Sequence, residues 1–317
     1  MSVRYLTASH KISYTKQREK MIGELAALGA AISWTFSAIL YKKALQRTKP
    51  ISANIIRLSC TAAILLVFLI AVDKLPVLTS LSTSIIVLAV VSGIIGLGLG
   101  DTLYLSSLNL IGVSRAVPIT CTYPLFGLLW AALLSKEYVT LGVGLGTFAI
   151  VLGIWLLSYE KESSLLGMSK KALVKGATMA LATALLWSVS ISMMDLAVEG
   201  TRTLDQALVV NTLRASVIAL LFLVLSPIVD RERGFLKVDK KTVVTLTAGG
   251  LVALGIGWFF LTYSFTLTMA SRAIPISSTT PLFSALADVA LLREKVTAKS
   301  ALGSVLIVGG ILLAFLN

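Results

Sequence analysis

Two acids stand deep inside apolar runs and are the first candidates for chemistry. Asp288 lies in Phe283-Ser284-Ala285-Leu286-Ala287-Asp288-Val289-Ala290, and Asp101 follows a glycine patch in Gly98-Leu99-Gly100-Asp101-Thr102-Leu103-Tyr104. A carboxyl at membrane depth costs about 3 kcal/mol on insertion scales, so it is kept where it faces a cavity or a partner. Asp288 could bind a proton or a substrate amine, and Asp101 could line an asymmetric cavity or exchange a proton. The plainer alternative for Asp288 is a solvated acid less than two turns from Arg293, near a helix end. For Asp101 it is the N-cap of a helix restarted after an unwound glycine turn.

Aromatic and hydroxyl residues could complete a binding surface. Trp34 in Trp34-Thr35-Phe36-Ser37 and Trp187 in Trp187-Ser188-Val189-Ser190 lie mid-run, away from the interface where membrane Trp gathers. Each has hydroxyls nearby for its indole N–H, with Ser37 and Ser190 among them. Tyr104, Tyr123, Trp258 and Tyr263 add rings suited to a flat or amphipathic solute through stacking and cation–π contact. Paired prolines, Pro118 with Pro124 and Pro275 with Pro281, remove backbone donors and free carbonyls one turn back. Around them Thr120, Thr122, Ser277, Ser278, Thr279 and Thr280 can satisfy that backbone, which makes a hinged, polar helix wall. A kinked helix that merely packs is the alternative.

The composition excludes other chemistry. Only 14% of the 317 residues are charged against 56% hydrophobic, and the mean hydropathy is +0.91. Ordinary soluble domains carry about 25% charged residues, so this is a membrane chain. The net charge of +13 is concentrated in short breaks between apolar runs, as membrane flanks require, without the basic aromatic interleaving of a nucleic-acid surface. The single histidine, His10, sits in the polar tail, which argues against a histidine-based metal, haem or catalytic site. Cys60 and Cys121 lie within apolar runs and are expected to be inert and unpaired. No cofactor is expected.

Ten apolar segments must position these residues: 23–43, 51–72, 82–109, 114–135, 139–158, 172–196, 206–229, 242–268, 271–292 and 297–316. Each is near the ~20 residues a helix needs to cross the bilayer. Segments three and eight are long and contain glycine patches, which allow close packing or local unwinding. The chain also repeats itself. Ser114-Arg115-Ala116-Val117-Pro118 matches Ser271-Arg272-Ala273-Ile274-Pro275, and roughly 21 of 43 positions agree from Ser114 to Leu156 at an offset of 157. Asn54 and Arg57 match Asn211 and Arg214 at the same offset, whereas Asp101 faces Trp258 and Asp288 faces Ala131. The expected organisation is a basic tail, 1–20, and two five-helix repeats, 21–160 and 161–317. Five is odd, so the second copy enters the membrane from the opposite side. Inverted repeats of this kind suit alternating access. Span counting places Arg57 on one side with Glu294, and Arg214 on the other with Glu137. Cross-half pairs Arg57–Glu294 and Arg214–Glu137 are therefore expected as alternating latches, each otherwise an exposed end charge.

The repeated Trp with small polar residues, the two Arg residues, the Ser-Arg-Ala…Pro…Pro-Leu-Phe segments and Glu137 with Glu294 resemble the drug/metabolite transporter superfamily, and within it the EamA-like ten-span carriers. The resemblance covers the chain beyond residue 20. It implies an all-α integral membrane carrier of a small organic metabolite, amino acid-like or otherwise amphipathic, often an exporter, with a central cavity lined by both halves at Trp34 and Trp187. Protons are a candidate coupling ion. A monomer in the cell membrane is expected, since one chain can enclose its own cavity. A plain count of basic residues places both termini outside, but the resemblance implies cytoplasmic termini, as the basic tail does. The alternatives are an integral-membrane enzyme acting on a lipid-linked substrate and a facilitative channel. No paired-acid or metal-ligand constellation supports the former.

Overall fold

In the computed structural model, residues 2–159, 169–198, 203–283, 286 and 297–316 are described. Among them every regular element is helical. The first half holds α1 (Ser2–Ala44), α2 (Pro50–Ala71), α3 (Thr83–Gly93), α4 (Asp101–Ile111), α5 (Val113–Thr120), α6 (Tyr123–Leu133) and α7 (Leu141–Tyr159). The second holds α8 (Lys170–Val198), α9 (Leu204–Val229), α10 (Lys240–Gly250), α11 (Trp258–Phe265), α12 (Ala270–Ser277) and α13 (Ala298–Leu316). The basic tail is continuous with the first span, since α1 is helical from Ser2 onward.

Local chemistry explains several helix ends. Pro50 opens α2, where its missing N–H costs nothing. Thr203 accepts from the Gln206 N–H at 3.3 Å to cap α9, and Asp239 accepts from the Thr242 N–H at 3.0 Å to cap α10. Gly112, at φ +77°, reverses the chain between α4 and α5, a conformation that glycine adopts without strain.

Seven stretches are long and apolar enough to cross a membrane: Gln17–Ala44, Pro50–Ala71, Thr83–Ile111, Arg115–Leu133, Lys170–Val198, Leu204–Val229 and Lys240–Phe265. Leu141–Leu157 and Ala301–Ala314 are shorter apolar helices. The remaining expected span, 271–292, runs into residues outside the described set. Large apolar side chains point outward from equivalent helices, Val67 and Ile70 on α2 and Val224 and Ile228 on α9. Water would not tolerate so extensive an apolar exterior, and lipid does.

The glycine patches are more than close-packing sites. Ile94–Gly100 joins α3 to α4 as a π-helical turn, and Leu251–Gly257 joins α10 to α11 in the same way. The wider turn leaves carbonyls free for side-chain donors. Asn54 Nδ2 donates to the Leu97 carbonyl at 3.1 Å, and Asn211 Nδ2 donates to the Leu254 carbonyl at 2.9 Å. These bonds correspond at the repeat offset of 157, so the duplication is structural as well as sequential.

Packing is exchanged between halves. Helix α1 lies against α10, α11 and α12, and α8 lies against α3, α4 and α5. The most extensive contact joins α7 to α13. A Cβ on Gly146 would stand 2.6 Å from the Gly310 carbonyl oxygen, and one on Gly153 would stand 2.6 Å from that of Gly303. The early glycine of one helix meets the late glycine of the other, so these equivalent helices run antiparallel. At one end of the bundle the α1–α2 and α9–α10 connections meet, with Lys49 Nζ 2.6 Å from Glu232 Oε2 and the Ser52 hydroxyl donating to Asp230 at 2.8 Å. At the other, Lys74 Nζ approaches Asp205 to 2.7 Å.

Candidate functional site

Between the halves lies a cavity whose empty space, counted together with the open solvent at its mouth, is about 680 Å³. Helix α1 contributes Trp34, Ser37 and Tyr41 to its wall, one face by i, i+3 and i+7 spacing. Arg57 enters from α2, Asp101 and Tyr104 from α4, Tyr123 from α6, Trp187 from α8 and Trp258 from α11. The polar break after α12 adds Ser277, Ser278 and Thr280. Seven of the residues expected from the sequence to bind solute thus share one cavity: Trp34, Ser37, Asp101, Tyr104, Tyr123, Trp187 and Trp258.

Asp101 is the hub of the polar wall. One carboxylate oxygen accepts from Arg57 Nη2 and the other accepts from the Trp187 indole N–H at 2.8 Å. Arg57 Nε donates to Asn54 Oδ1 at 2.8 Å, and its guanidinium lies 4.9 Å from the Tyr41 ring centroid. Tyr41 in turn donates to the Gly249 carbonyl at 3.0 Å. The four side chains α1, α2, α4 and α8 supply are therefore fixed to one another and to the opposite half.

The aromatic wall is equally tied down. Tyr104 lies 4.9 Å and Tyr123 6.3 Å from Trp187, centroid to centroid. Tyr123 Oη and Ser277 Oγ share a hydrogen bond of 2.9 Å, linking α6 to α12. On the other side Trp34 meets Trp258 edge-on at 5.9 Å and donates to the Ala253 carbonyl at 3.2 Å. Both tryptophans need a glycine opposite them. A Cβ on Gly100 would stand 2.9 Å from Trp187 Cδ1, and one on Gly257 would stand 2.6 Å from Trp34 Nε1.

Other expected positions lie elsewhere. Ser190 does not face the cavity; it is fully buried, donates to the Ser92 carbonyl at 2.8 Å and accepts from Arg214. Tyr263 stacks on Phe259 at 6.0 Å, away from the wall. Thr279 turns its hydroxyl to the Ile276 carbonyl at 2.8 Å, while its neighbours Ser278 and Thr280 reach the cavity. Asp288 and Glu294 lie outside the described residues.

The latch expected between Arg214 and Glu137 is absent. Arg214 is wholly buried, with Nη2 donating to Ser190 Oγ at 2.7 Å and Cζ 3.7 Å from the Trp258 ring centroid. Glu137 instead accepts from the backbone N–H groups of Ala270 and Ser271, at 2.8 and 2.9 Å, and caps α12. A carboxylate at a helix N-terminus satisfies orphan donors and the helix dipole together. Nor is Arg57 an exposed end anchor: it pairs with Asp101 rather than reaching a bundle end. Asn54 and Asp101 offer the guanidinium partners inside the protein, so it is not the exposed end charge that was the alternative to a latch. The Asn-x-x-Arg spacing, present in both halves, was the available signal: one helical turn brings the amide beside the guanidinium.

Prolines sit where expected. Pro118 and Pro275 lie inside α5 and α12, and Pro124 opens α6 just after the chain breaks at Cys121 and Thr122. Pro281 falls in the helical turn that follows Ser278 and Thr279. The hydroxyls of Thr120, Thr122, Ser277 and Ser278 donate to carbonyls three residues back, at 2.7–2.9 Å. Thr120 and Thr280, from the expected hydroxyl wall, line the cavity, as do Tyr41 and Cys121, which were not singled out as binding residues. Tyr41 was reachable through its i+7 relation to Trp34.

A two-half helical bundle with an apolar exterior and an internal, polar-and-aromatic cavity defines a multi-pass membrane transporter. The chain belongs to the EamA-like transporter family, whose model matches twice, at residues 21–159 and 174–316, and so to the drug/metabolite transporter superfamily. An uncharacterized transporter of Archaeoglobus fulgidus is 24% identical over 299 residues, covering 93% of this chain and 99% of that protein. One solved crystal structure superposes with a TM-score of 0.69 at 19% identity, over 93% of this chain and 96% of the other, and so shares the fold. Membership of a transporter family disposes of the enzyme alternative.

Proposed function

We propose that the chain is a ten-span, inverted-repeat carrier that moves a small amphipathic organic solute by alternating access. The observation that carries this reading is a cavity whose walls come from equivalent helices of both halves: α1 with α8, and α4 with α11. Rocking of one half against the other would open such a cavity first to one side and then to the other. The polar breaks after α5 and α12 are the hinges, since each lies between two prolines and interrupts its helix at hydroxyl residues that bond carbonyls three residues back. Asp101, Arg57 and Trp187 bind the polar end of the solute, and Trp34, Tyr104, Tyr123 and Trp258 hold its apolar body. Glu137 acts in gating by fixing the N-terminus of α12, and Glu294 is its repeat counterpart. Asp288 remains the candidate for proton exchange, because both oxygens of Asp101 are taken by fixed donors. The direction is export, from cytoplasm outward, with cytoplasmic termini and a monomeric unit.

Reconstitution of the purified chain in proteoliposomes tests the reading. Uptake should saturate and be stimulated by unlabelled solute on the far side. Linear, unstimulated flux would mark a channel and reject a carrier. A flux that neither responds to a pH gradient nor builds one would reject proton exchange.

A further inference from the structure

We propose that Arg214 is an anion-recognition residue, and that the solute bears a carboxylate or phosphate that Arg214 engages when Trp258 turns aside. The proposal rests on the carrier reading above and narrows its solute class. It starts from a broken equivalence between the halves. Arg57 and Arg214 correspond at the repeat offset, as do Asn54 and Asn211, and as do Asp101 and Trp258. The amides behave alike, each donating to a π-turn carbonyl. The arginines do not. Arg57 has an ion pair with Asp101 and a second bond to Asn54. In the second half the indole of Trp258 stands where the first half has its acid.

Arg214 is consequently a buried cation with little to hold it. Its exposure is 0%, and its Nε and Nη1 have no hydrogen-bond partner among the described residues. Only Nη2 is engaged, by the neutral hydroxyl of Ser190. Gly96 makes room for that contact, since a Cβ there would stand 2.8 Å from Nη2. A guanidinium taken out of water in this way requires charge-assisted bonds to offset its desolvation. The face of Trp258 supplies a cation–π contact at 3.7 Å, a weaker substitute than a forked carboxylate or phosphate.

Trp258 is also a wall of the cavity. One indole therefore separates the solute space from the unsatisfied guanidinium. Rotation of that ring would present Nε and Nη1 to an anionic group in the cavity and would leave Trp34 to stack on the solute body. The second half would then reproduce, with the solute's anion, the pair that Arg57 makes with Asp101.

The test uses the full chain in proteoliposomes and in detergent, with four probes: indole-3-acetate, phenyl phosphate, neutral indole-3-acetamide and cationic tryptamine. Counter-flow and thermal stabilisation should favour one or both anions over the amide by about tenfold or more, as a forked charge-assisted contact predicts. Whether the carboxylate or the phosphate leads identifies the group. Arg214→Gln should bring the anion-to-amide ratio to about one, and Arg214→Lys should restore part of the preference. If Arg214→Gln does not fold, the ranking of probes by the unaltered protein decides. Amide or amine moved as well as the anions overturns the role of Arg214 and leaves the carrier standing. Anions that stabilise the protein but show no saturable counter-flow overturn the carrier and leave anion recognition. Neither binding nor flux of any probe overturns both.

Discussion

Asp101 and Arg57 show how one residue pair sets the chemistry of a wall. Each is nearly inaccessible to solvent, at 5% and 2% exposure, and each depends on the other for its charge. Deleting one partner of such a pair strands the other charge. Asp101→Ala should therefore destabilise the protein by about 3–5 kcal/mol, read as a lowered midpoint in detergent thermal unfolding. Asp101→Ala combined with Arg57→Met should recover much of that loss; an equal or larger loss in the double variant would show that the two act separately. Trp187→Phe is a finer probe. It keeps the ring beside Tyr104 and removes only the N–H donated to Asp101, so it should raise the solute concentration for half-maximal counter-flow while leaving folding intact. An unchanged concentration dependence would mean that this bond does not shape the binding surface.

At the level of elements, close approach and capping dominate. The α7–α13 interface is built on glycines whose nearest neighbours are backbone carbonyls, which cannot yield, with the Ile307 and Ile150 side chains close beside them. Gly153→Val or Gly303→Val forces the helices apart and should cost about 1–3 kcal/mol, whereas Gly144→Val, where nothing stands within 4 Å of an added Cβ, should be tolerated. Equal thermal midpoints for the two sets would refute the interface. Asp230 anchors the α9–α10 connection. Burial opposes its ionisation, but hydrogen bonds from the Phe235 and Gly234 N–H groups and the Ser52 hydroxyl outweigh it and hold its pKa below the ordinary 3.8. The sign follows from linkage: the depressed carboxylate stabilises the fold above the ordinary value and loses that contribution as pH falls below 3.8 through its folded pKa. Thermal midpoints measured from pH 6 downward should thus fall less steeply in Asp230→Asn than in the unaltered protein.

On the scale of the whole molecule, the two halves are not separate lobes but exchange their first helices. Anything that moves one half must carry α1 or α8 of the other against it. The proposed alternating access would require the ends to part and rejoin in turn. Lys49 and Glu232, from different halves and joined at one end by exposed side chains, offer a handle on this motion. Lys49→Cys with Glu232→Cys, in a background lacking Cys60 and Cys121, should arrest flux when bridged by a short bis-maleimide and leave solute binding measurable. Unimpaired flux after complete cross-linking would show that this end does not open.

Membrane class, helical content, duplication and the aromatic residues of the cavity wall were readable from residue type and spacing. Hydrophobic runs, glycine patches and mid-run aromatics follow from what a bilayer permits, whatever the arrangement. The repeat offset even marked Asp101 against Trp258 before either had a neighbour. What spacing could not decide was which distant groups meet. Arg57 and Arg214 looked like latch residues or exposed end charges because sequence shows a charge but not the partner that would hold it inside. Only the tertiary structure brought Asp101 to Arg57, Glu137 to the start of α12 and the face of Trp258 to Arg214. Electrostatic partnership inside a membrane depends on three-dimensional distance and burial, and neither is written along the chain.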